Sequence, residues 1–256
     1  MWRYIQIGEH SFIPAYNLFV GLGIALAMLY LQYEKKFANF SFQKKNAIHT
    51  GLFISIIFGF VGAFTFDAYT QGIKLSLSNL NQIGLTLLGG IVAGLLTFSI
   101  FLKIKSIPVL STLNILTPAF CISHLLGRVG CFFTGCCYGS PTNSIFGVQF
   151  PKDSLAHTHF QADLHVHPTQ LYESIFILFV FLFVRRSSIN NKFLFYIISY
   201  SIFRFFIEFI RADNRGIIFN QSFLTPSQFI SLTIAVFAIV LTYIINRKSI
   251  HQPINS

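Results

Sequence analysis

The sequence predicts an all-α integral membrane protein with seven transmembrane helices, its N-terminus outside and its C-terminus in the cytoplasm. Three observations predict this fold class: hydrophobic residues make up 54% of the 256 positions, charged residues only 10%, and the apolar residues form long runs. An ordinary globular protein carries roughly 25% charged residues, enough to cover its surface. This chain has too few, so most of its surface must face something other than water.

Seven apolar runs divide the chain, and most approach the ~20 residues that a helix needs to cross ~30 Å of hydrocarbon. The runs are approximately Phe12–Leu31, Gly51–Phe66, Ile83–Leu102, Ile107–Leu126, Pro168–Val184, Phe193–Phe209 and Pro226–Ile245. They are continuous rather than alternating, which favours helices over the strands of a β-barrel. The N-terminus shows no basic-then-apolar stretch with a cleavage site, so we expect the first run to remain as the first helix.

The distribution of lysine and arginine predicts the orientation. One set of loops carries eleven basic residues against a single acid, and the other set carries seven basic and seven acidic residues. The basic set is Lys35, Lys36, Lys44, Lys45, Lys103, Lys105, Arg185, Arg186, Lys192, Arg247 and Lys248, with Glu34. The balanced set is Arg3, Lys74, Arg128, Lys152, Arg204, Arg211 and Arg215, with Glu9, Asp67, Asp153, Asp163, Glu173, Glu208 and Asp213. By the positive-inside rule the basic loops are cytoplasmic. The net charge of +10 therefore indicates topology and does not imply nucleic acid.

We expect residues 1–256 to form a single transmembrane domain, because no internal repeat, low-complexity tract or linker divides them. The longest segment between apolar runs is Gly139–Val166, which is polar and has few helix signals. It lies on the outer side of the predicted topology, and we expect it to fold over the outer mouth of the helix bundle.

Ionisable residues in or beside the apolar runs indicate where the site lies, since each costs a few kcal/mol at membrane depth and usually faces protein or a watery cavity. All of them lie toward the outer side: Tyr16, His124, Arg128, Glu173, Tyr200, Arg204, Glu208 and Arg211. The spacing predicts that Tyr200, Arg204, Glu208 and Arg211 share one helical face. Arg204 and Glu208 could form no more than an ion pair between helical turns. A second arginine at similar depth, Arg128, favours an anion site, because guanidinium groups bind phosphate bidentately. In a membrane, the commonest phosphate ligand is a lipid headgroup.

Three sequence blocks resemble the bacterial prolipoprotein diacylglyceryl transferase family. They are GRVGCFFTGCCYG (Gly127–Gly139), HPTQLYE (His167–Glu173) and YSIFRFFIEFIRADNRG (Tyr200–Gly216). The resemblance extends to Tyr16 with Gly23, to the pair Gly89–Gly90, and to the order and spacing of the seven helices. It therefore covers nearly the whole chain.

The resemblance implies a transferase of lipoprotein biosynthesis in the bacterial inner (cytoplasmic) membrane. Family members move the diacylglyceryl group of phosphatidylglycerol to the lipobox cysteine thiol of a prolipoprotein at the outer leaflet, and glycerol phosphate leaves. The implied partners are phosphatidylglycerol, prolipoproteins and membrane lipids, and we expect no cofactor and no metal. The catalytic candidates are Tyr16, His124, Arg128, Arg204 and Glu208. The candidates for substrate binding are Arg128, Arg204, Tyr200, Gly139, Gly89, Gly90, His167, Gln170 and Glu173.

The signature departs from the family pattern Gly-Arg-x-Gly-Asn-Phe-x-Asn-Gly-Glu. Cys131, Thr134 and Cys136 replace the two asparagines and the glutamate, and Leu88 stands where a histidine usually precedes the glycine pair. The chain resembles a divergent branch with the signature GCFxxGCCYG. The phosphate-binding half of the site therefore matches and the proton-transfer half is changed. His124, one helical turn before Arg128, is a candidate substitute base; a packing role is the alternative.

Cys131, Cys136 and Cys137 allow three interpretations. They could brace the loop by packing or by a disulfide, Cys136 could relay the lipid covalently, or the cysteines could bind a metal. Nearby histidines are His157, His159, His165 and His167, but they lack the spacing of common zinc sites. We expect the bracing role, because a prolipoprotein supplies its own thiol. Cys121 is expected to be a small buried apolar residue.

Two alternatives to the transferase remain at this stage: a family member that acts on another acceptor, and a non-catalytic or transport protein that binds anionic lipid. Leu88 and Cys136 favour the loss of catalysis. The retained Tyr200, Arg204, Glu208 and HPTQLYE block favour the enzyme, because a binding protein has little need of so many polar residues at membrane depth.

Overall fold

The computed structural model describes residues 4–7, 11–71, 73, 76, 79, 87–213 and 224–250. In order, its elements are β1 (Tyr4–Ile7), β2 (Ser11–Pro14), α1 (Ala15–Tyr33), α2 (Lys35–Ala38), α3 (Phe42–Gln71), α4 (Leu87–Ile104), α5 (Val109–Thr134), β3 (Val148–Gln149), α6 (Leu155–Phe160), β4 (His165–Val166), α7 (Thr169–Arg186), α8 (Lys192–Ile207), a 3-10 helix (Glu208–Ile210) and α9 (Pro226–Ile250). Some predictions concern residues outside the described ones: Arg3, Glu9, Lys74, Ile83–Thr86 and Arg215, and the side chains of Leu88 and Lys248.

The predicted helical membrane protein is confirmed at the level of helix length and composition. Five spans among the described residues are long and apolar enough to cross a membrane: Ala15–Tyr33, Phe42–Tyr69, Val109–Thr134, Lys192–Ile210 and Pro226–Arg247. The shorter apolar stretch Gly89–Ile104 lies in α4. The 18 residues of α7 include three charged side chains, those of Glu173, Arg185 and Arg186.

Every predicted apolar run contains a helix, but several helix ends differ from the run boundaries. The first helix begins later than the first run, at Ala15, because the residues before it form β2, which pairs antiparallel with β1. The fourth run is too short, because α5 continues past Arg128 to Thr134. The polar residues at its end are accommodated by partners on other helices rather than by solvent. Hydropathy therefore locates these helices well and their polar ends poorly.

The chain forms two compact units, and we describe each separately. The smaller unit is residues 34–113 and the larger is residues 1–33 with 114–256. In the smaller unit α3 and α4 pack closely along glycines: a Cβ at Gly62 would lie 2.7 Å from the carbonyl oxygen of Gly89, and one at Gly90 would lie 3.2 Å from that of Gly59. Only glycine permits such an approach of two backbones. Gly89 and Gly90 thus have a packing role, and their contact with substrate stays a prediction.

In the larger unit, α5, α7 and α8 enclose an apolar core. The core residues are Cys121, Ile177, Val180, Val184 and Tyr196. Cys121 is fully buried there, as expected. Helix α1 packs on α5 at glycine, since a Cβ at Gly23 would lie 3.2 Å from the Cα of Ser123. This packing fixes the helix ends that carry the polar site.

The predicted outer segment has more structure than its sequence suggested. Strands β3 and β4 pair antiparallel, with Val148 opposite Val166. Between them lies the short helix α6, which the sequence analysis missed. Its signal is Ser154 at the N-cap, whose hydroxyl accepts a hydrogen bond of 3.1 Å from the backbone N–H of His157. The segment packs its own small apolar cluster of Tyr138, Phe150, Ala156 and Val166.

Candidate functional site

The way in which α5 ends brings the cysteines together. Gly135 has a φ of +70°, its N–H donates to the carbonyl of Phe132 at 3.1 Å, and the N–H of Cys136 donates to the carbonyl of Cys131 at 3.2 Å. This pair of bonds is a Schellman motif, for which glycine is the preferred residue. It folds Cys136 back over the last helical turn. Cys137, with a φ of +63°, then changes the chain direction again. We call residues 131–137 the cysteine loop.

The three sulfur atoms of the cysteine loop lie within 4.8 Å of one another. All four cysteines of the chain are described, and they are thiols rather than disulfides. Hydrogen bonds from the thiols of Cys131 and Cys136, together with the charges of Arg211 and Arg128, hold the pKa of Cys137 well below its usual range. Hydrogen bonds with Cys131 and Cys137 raise the pKa of Cys136. The lowered pKa of Cys137 and the raised pKa of Cys136 thus have one cause, the hydrogen bonds among the three cysteines.

The start of α7 holds the cysteine loop in place. The hydroxyl of Thr169 donates a hydrogen bond of 2.5 Å to the carbonyl of Cys137. The side-chain amide of Gln170 donates to the carbonyl of Cys136, and Gln170 is fully buried. His167 forms a hydrogen bond of 3.1 Å with the hydroxyl of Tyr172. The HPTQLYE block thus positions the loop, and lipid contacts of His167 and Gln170 stay predictions.

Gly139 lies where three chain segments meet. Its N–H donates to the carbonyl of His167 at 2.8 Å, and the next residue, Ser140, donates to the carbonyl of Ile210 at 2.8 Å. A Cβ at Gly139 would lie only 2.7 Å from both the Ile210 carbonyl oxygen and the His167 Cβ. Glycine is therefore required at this position for packing, whatever it contributes to substrate binding.

Glu173 connects two arginines at the centre of the site. Its carboxylate forms an ion pair with Arg128, whose Nε lies 3.0 Å away, and accepts a hydrogen bond of 2.8 Å from a terminal nitrogen of Arg211. The hydroxyl of Tyr200 donates to Glu173 at 3.0 Å and accepts from Arg128 at 2.9 Å. Glu173 is fully buried. The planes of both guanidinium groups are consequently fixed.

Arg204 belongs to a second ion pair beside the first. It lies 2.5 Å from Glu208 and donates to the hydroxyl of Ser227 at 3.0 Å, so the predicted ion pair is confirmed. The hydroxyl of Thr225 donates to the other carboxylate oxygen of Glu208 at 3.0 Å. We call Arg128, Glu173, Arg204, Glu208 and Arg211 the arginine network.

The prediction that Arg211 shares a helical face with Tyr200 and Arg204 is wrong. Helix α8 ends at Ile207, the 3-10 helix follows, and Arg211 lies beyond it in extended backbone. The structure instead pairs Arg211 with Gly139 across an isolated bridge. Its side chain nevertheless reaches Glu173, because the chain turns back toward α7.

Two further candidates lie beside the network. His124 forms a hydrogen bond of 2.7 Å with the hydroxyl of Tyr196, and its ring meets that of Tyr200 edge-on at 4.7 Å. The ring of His124 thus packs against that of Tyr200, whose hydroxyl donates to Glu173. Tyr16 is 43% exposed at the start of α1, and it lies within electrostatic range of Arg128 and all three loop cysteines. Its position follows from close packing, because a Cβ at Gly130 would lie 3.3 Å from the Cα of Tyr16.

Comparison with known proteins assigns the chain to a family. The family model described as prolipoprotein diacylglyceryl transferase matches residues 4–244. The chain belongs to the prolipoprotein diacylglyceryl transferase family. The match includes every site residue described above.

Curated relatives of this family align with most of the chain. A Clostridium tetani protein named phosphatidylglycerol–prolipoprotein diacylglyceryl transferase is 32% identical over 230 residues, 86% of this chain and 88% of the relative. A Clostridium perfringens protein with the same name and the number 2 is 32% identical over 246 residues, 92% of this chain and 91% of the relative. A Finegoldia magna protein of that name is 30% identical over 238 residues, 88% of each chain.

Within this member of the family, the three arginines differ in exposure. The side chain of Arg128 is 11% exposed, that of Arg204 8% and that of Arg211 1%. All three are thus largely buried, and Arg211 is the most enclosed of them. Arg211 was predicted to lie near the site but was not among the catalytic or substrate-binding candidates. The signal in the sequence that could have selected it is the carboxylate of Asp213, two residues later.

Asp213 completes the buried side of the site. Nε and a terminal nitrogen of Arg211 donate to its two carboxylate oxygens at 3.0 and 2.9 Å. Burial raises the pKa of Asp213, although the Arg211 charge opposes that shift. Burial works against the charged form of Arg211, but the charges of Cys137, Asp213 and Glu173 raise its pKa. Arg211 therefore stays charged and is fully engaged by carboxylates.

Proposed function

We propose that this protein transfers the diacylglyceryl group of phosphatidylglycerol to the lipobox cysteine thiol of prolipoproteins. Family membership and the names of its relatives support this function. The observation that carries it for this chain is Arg128, a largely buried guanidinium group that is held in one orientation by Glu173 and Tyr200. A fixed guanidinium group at the end of an apolar helix bundle suits the phosphate of a membrane lipid.

We infer seven crossings of the bacterial inner membrane, with the N-terminus outside and the C-terminus in the cytoplasm. Helices α4 and α7, of 18 residues each, join the five longer spans. In the larger unit the site residues lie alternately near the start of one helix and near the end of the next. This alternation is expected if successive helices run antiparallel and all the site residues lie at one end of the bundle. The opposite ends carry Arg185, Arg186, Lys192 and Arg247.

Labelling of introduced cysteines tests this orientation. A membrane-impermeant thiol reagent should modify Lys152→Cys in intact cells and Lys44→Cys only after the membrane has been opened. The unmodified parent, whose own cysteines give the background, is the control. The reverse pattern would contradict the orientation and the outer-leaflet position of the site.

The chemistry is a displacement at a glyceryl carbon. The acceptor sulfur attacks this carbon, the C–S bond forms, and the C–O bond to phosphate breaks with its electron pair going to the leaving glycerol phosphate. Negative charge grows on that group, so preorganised cationic donors supply the largest stabilisation. We assign this role to Arg128 and Arg204. Glu173 and Glu208 hold the two guanidinium groups, and Tyr200 fixes Arg128 between them.

The remaining candidates act on the acceptor and on the lipid. We assign Tyr16, at the exposed edge, to the acceptor, and His124 to the thiol proton, which would reach it through Tyr200 or Tyr196. Gly139, His167 and Gln170 shape the loop that faces the substrates, and Gly89 and Gly90 are assigned to the lipid chains. These roles rest on the position of each residue and on the family resemblance.

Reconstitution tests the function directly. The purified protein, phosphatidylglycerol and a lipobox peptide should give a thioether product that carries the diacylglyceryl mass. A peptide with serine in place of the lipobox cysteine is the control and should remain unmodified. Lipid binding without any product would favour the non-catalytic alternative. Turnover of lipid that requires a different thiol would favour another acceptor.

A further inference from the structure

The cysteine loop has the geometry of a metal site. Tetrahedral zinc with Zn–S bonds of about 2.3 Å places its sulfur ligands about 3.8 Å apart. The sulfur atoms of Cys131, Cys136 and Cys137 lie within 4.8 Å of one another, so small side-chain rotations suffice to bring them to a common ion. Four cysteines are present in the chain and the fourth, Cys121, lies in the apolar core. The three loop cysteines are therefore a distinct group.

The backbone that carries these sulfurs is fixed from several directions. The Schellman motif at Gly135 places Cys136 over Cys131, and the left-handed φ of Cys137 allows its neighbouring sulfur to reach the same point. From outside the loop, the hydroxyl of Thr169 donates to the carbonyl of Cys137, and the side-chain amide of the buried Gln170 donates to the carbonyl of Cys136. The sequence spacing C-x4-C-C differs from common zinc motifs because the turn, rather than helical or ribbon spacing, gathers the ligands.

The surrounding charge suits a complex of this kind. Three thiolates with one divalent cation carry a net charge of −1. Arg128 and Arg211 both interact electrostatically with Cys137. Arg128 and Arg211 are paired with the carboxylates Glu173 and Asp213, so these four charges sum to zero and add no negative charge to a singly negative complex in a largely apolar site. A bare array of three thiolates would be disfavoured by mutual repulsion.

We propose that Cys131, Cys136 and Cys137 bind a thiophilic divalent cation, with Zn²⁺ as the best match, and that its fourth position takes the thiol of the acceptor peptide. Three protein ligands with one open position is the pattern of catalytic zinc, whereas structural zinc uses four. Tyr16, 43% exposed, lies beside the sulfurs and marks the side from which a peptide can enter. The inference deepens the proposed function and rests on it.

The step needs no oxidant and balances as follows. The acceptor thiol binds the cation and loses its proton, since a coordinated thiol is deprotonated. That proton ends on the phosphate oxygen of the leaving glycerol phosphate, which gains a negative charge when its C–O bond breaks. The bound sulfur attacks the glyceryl carbon, the C–O bond breaks, and its electron pair stays on the glycerol phosphate that leaves. The thioether product has no thiolate charge, binds the cation weakly and is released. A cation would thus activate the acceptor thiol in a chain where Leu88 and Cys136 replace the histidine and the glutamate of the family pattern.

Spectroscopy and metal analysis test the site independently of transfer. The purified protein should contain about one zinc per chain, and replacement by Co²⁺ should give the ultraviolet thiolate-to-cobalt band. Cys131→Ser, Cys136→Ser and Cys137→Ser should each lose zinc and band. Cys121→Ser is the matched control and should keep both. A retained band in all three loop variants, or its absence from folded protein with reduced thiols, would overturn the site.

Adding the acceptor separates the metal site from its proposed role. A lipobox peptide should shift the cobalt spectrum, and its serine counterpart should not. Removing the metal should slow transfer at neutral pH roughly 10- to 30-fold, because an unbound thiol is only a few per cent ionised. Metal binding with unchanged transfer after removal would make the cation structural and overturn the acceptor role. A spectral shift with the peptide but no transfer by any preparation would leave the site standing and contradict the proposed function instead.

Discussion

The arginine network and the cysteine loop lie at the same end of the larger unit but are held in place by different means. In the network the side chains fix one another: Glu173 joins Arg128 to Arg211, and Glu208 is paired with Arg204. In the loop the backbone fixes the side chains, through the glycine turn and the bonds from Thr169 and Gln170. A charged residue in the network cannot change alone without leaving its partner unpaired and buried.

This difference accounts for three of the four departures from the family pattern, since the fourth, Leu88, lies outside the loop in α4. Cys131, Thr134 and Cys136 all lie in the loop, and the arginines and glutamates of the network are retained. A loop positioned by its backbone can exchange hard oxygen and nitrogen groups for thiols and keep its shape. The arginine network is therefore constrained by charge pairing, whereas the cysteine loop can adopt different chemistry.

The largest effect should come from Glu173→Gln. It removes the charge that compensates two buried arginines, and breaking a buried ion pair costs about 3–5 kcal/mol. We expect a large drop in the thermal stability of the detergent-solubilised protein and loss of transfer. Asp163→Asn is the control, because Asp163 is 55% exposed and its contact with His157 is a surface pair. Equal melting temperatures for the two variants would show that the network is not the stabilising element.

A smaller effect, confined to catalysis, should follow from Arg128→Lys. Lysine keeps the charge but cannot satisfy Glu173 and Tyr200 in one plane while it binds phosphate. Losing one charge-assisted contact costs about 1.5–3 kcal/mol, or roughly 10- to 150-fold in transfer rate. Arg186→Lys, in the last turn of α7, should leave the rate unchanged. The phosphate role would be wrong if Arg128→Lys and Arg204→Lys both retained nearly full turnover.

Gly139→Ala should test whether the loop depends on its backbone. The new Cβ would lie 2.7 Å from the Ile210 carbonyl oxygen, so the segments that meet there must separate. Overpacking of this kind costs roughly 1–3 kcal/mol. Gly127→Ala is the matched control in the same signature, because nothing lies within 4 Å of its added Cβ. Melting curves that do not distinguish the variants would mean that the loop tolerates displacement.

Much of the fold and part of the site follow from the sequence alone. Apolar runs identify the helices because burial in lipid demands continuous hydrophobicity, and the Arg204–Glu208 pair follows from helical spacing. The position of Arg211 does not follow, because it depends on α8 ending at Ile207 and on a bridge to Gly139, a contact between distant residues. The proximity of the three sulfur atoms in the cysteine loop cannot be predicted from the sequence either. It requires a positive φ at Cys137, a residue type for which that conformation is uncommon.

The smallest expected effect concerns covalent chemistry at Cys136, and we expect none. Its thiol donates to the Cys131 carbonyl at 3.6 Å, and hydrogen bonds with its neighbours raise its pKa, so it is a poor nucleophile. Mass spectrometry of protein trapped during turnover should find no diacylglyceryl group on the peptide that contains Cys136. Because a prolipoprotein supplies its own thiol, a second nucleophile would add a step without removing a barrier. A diacylglyceryl adduct on Cys136 that forms and decays at the rate of transfer would replace direct transfer with a two-step relay. It would also contradict the assignment of this sulfur as a metal ligand, because a thioether cannot serve as a thiolate.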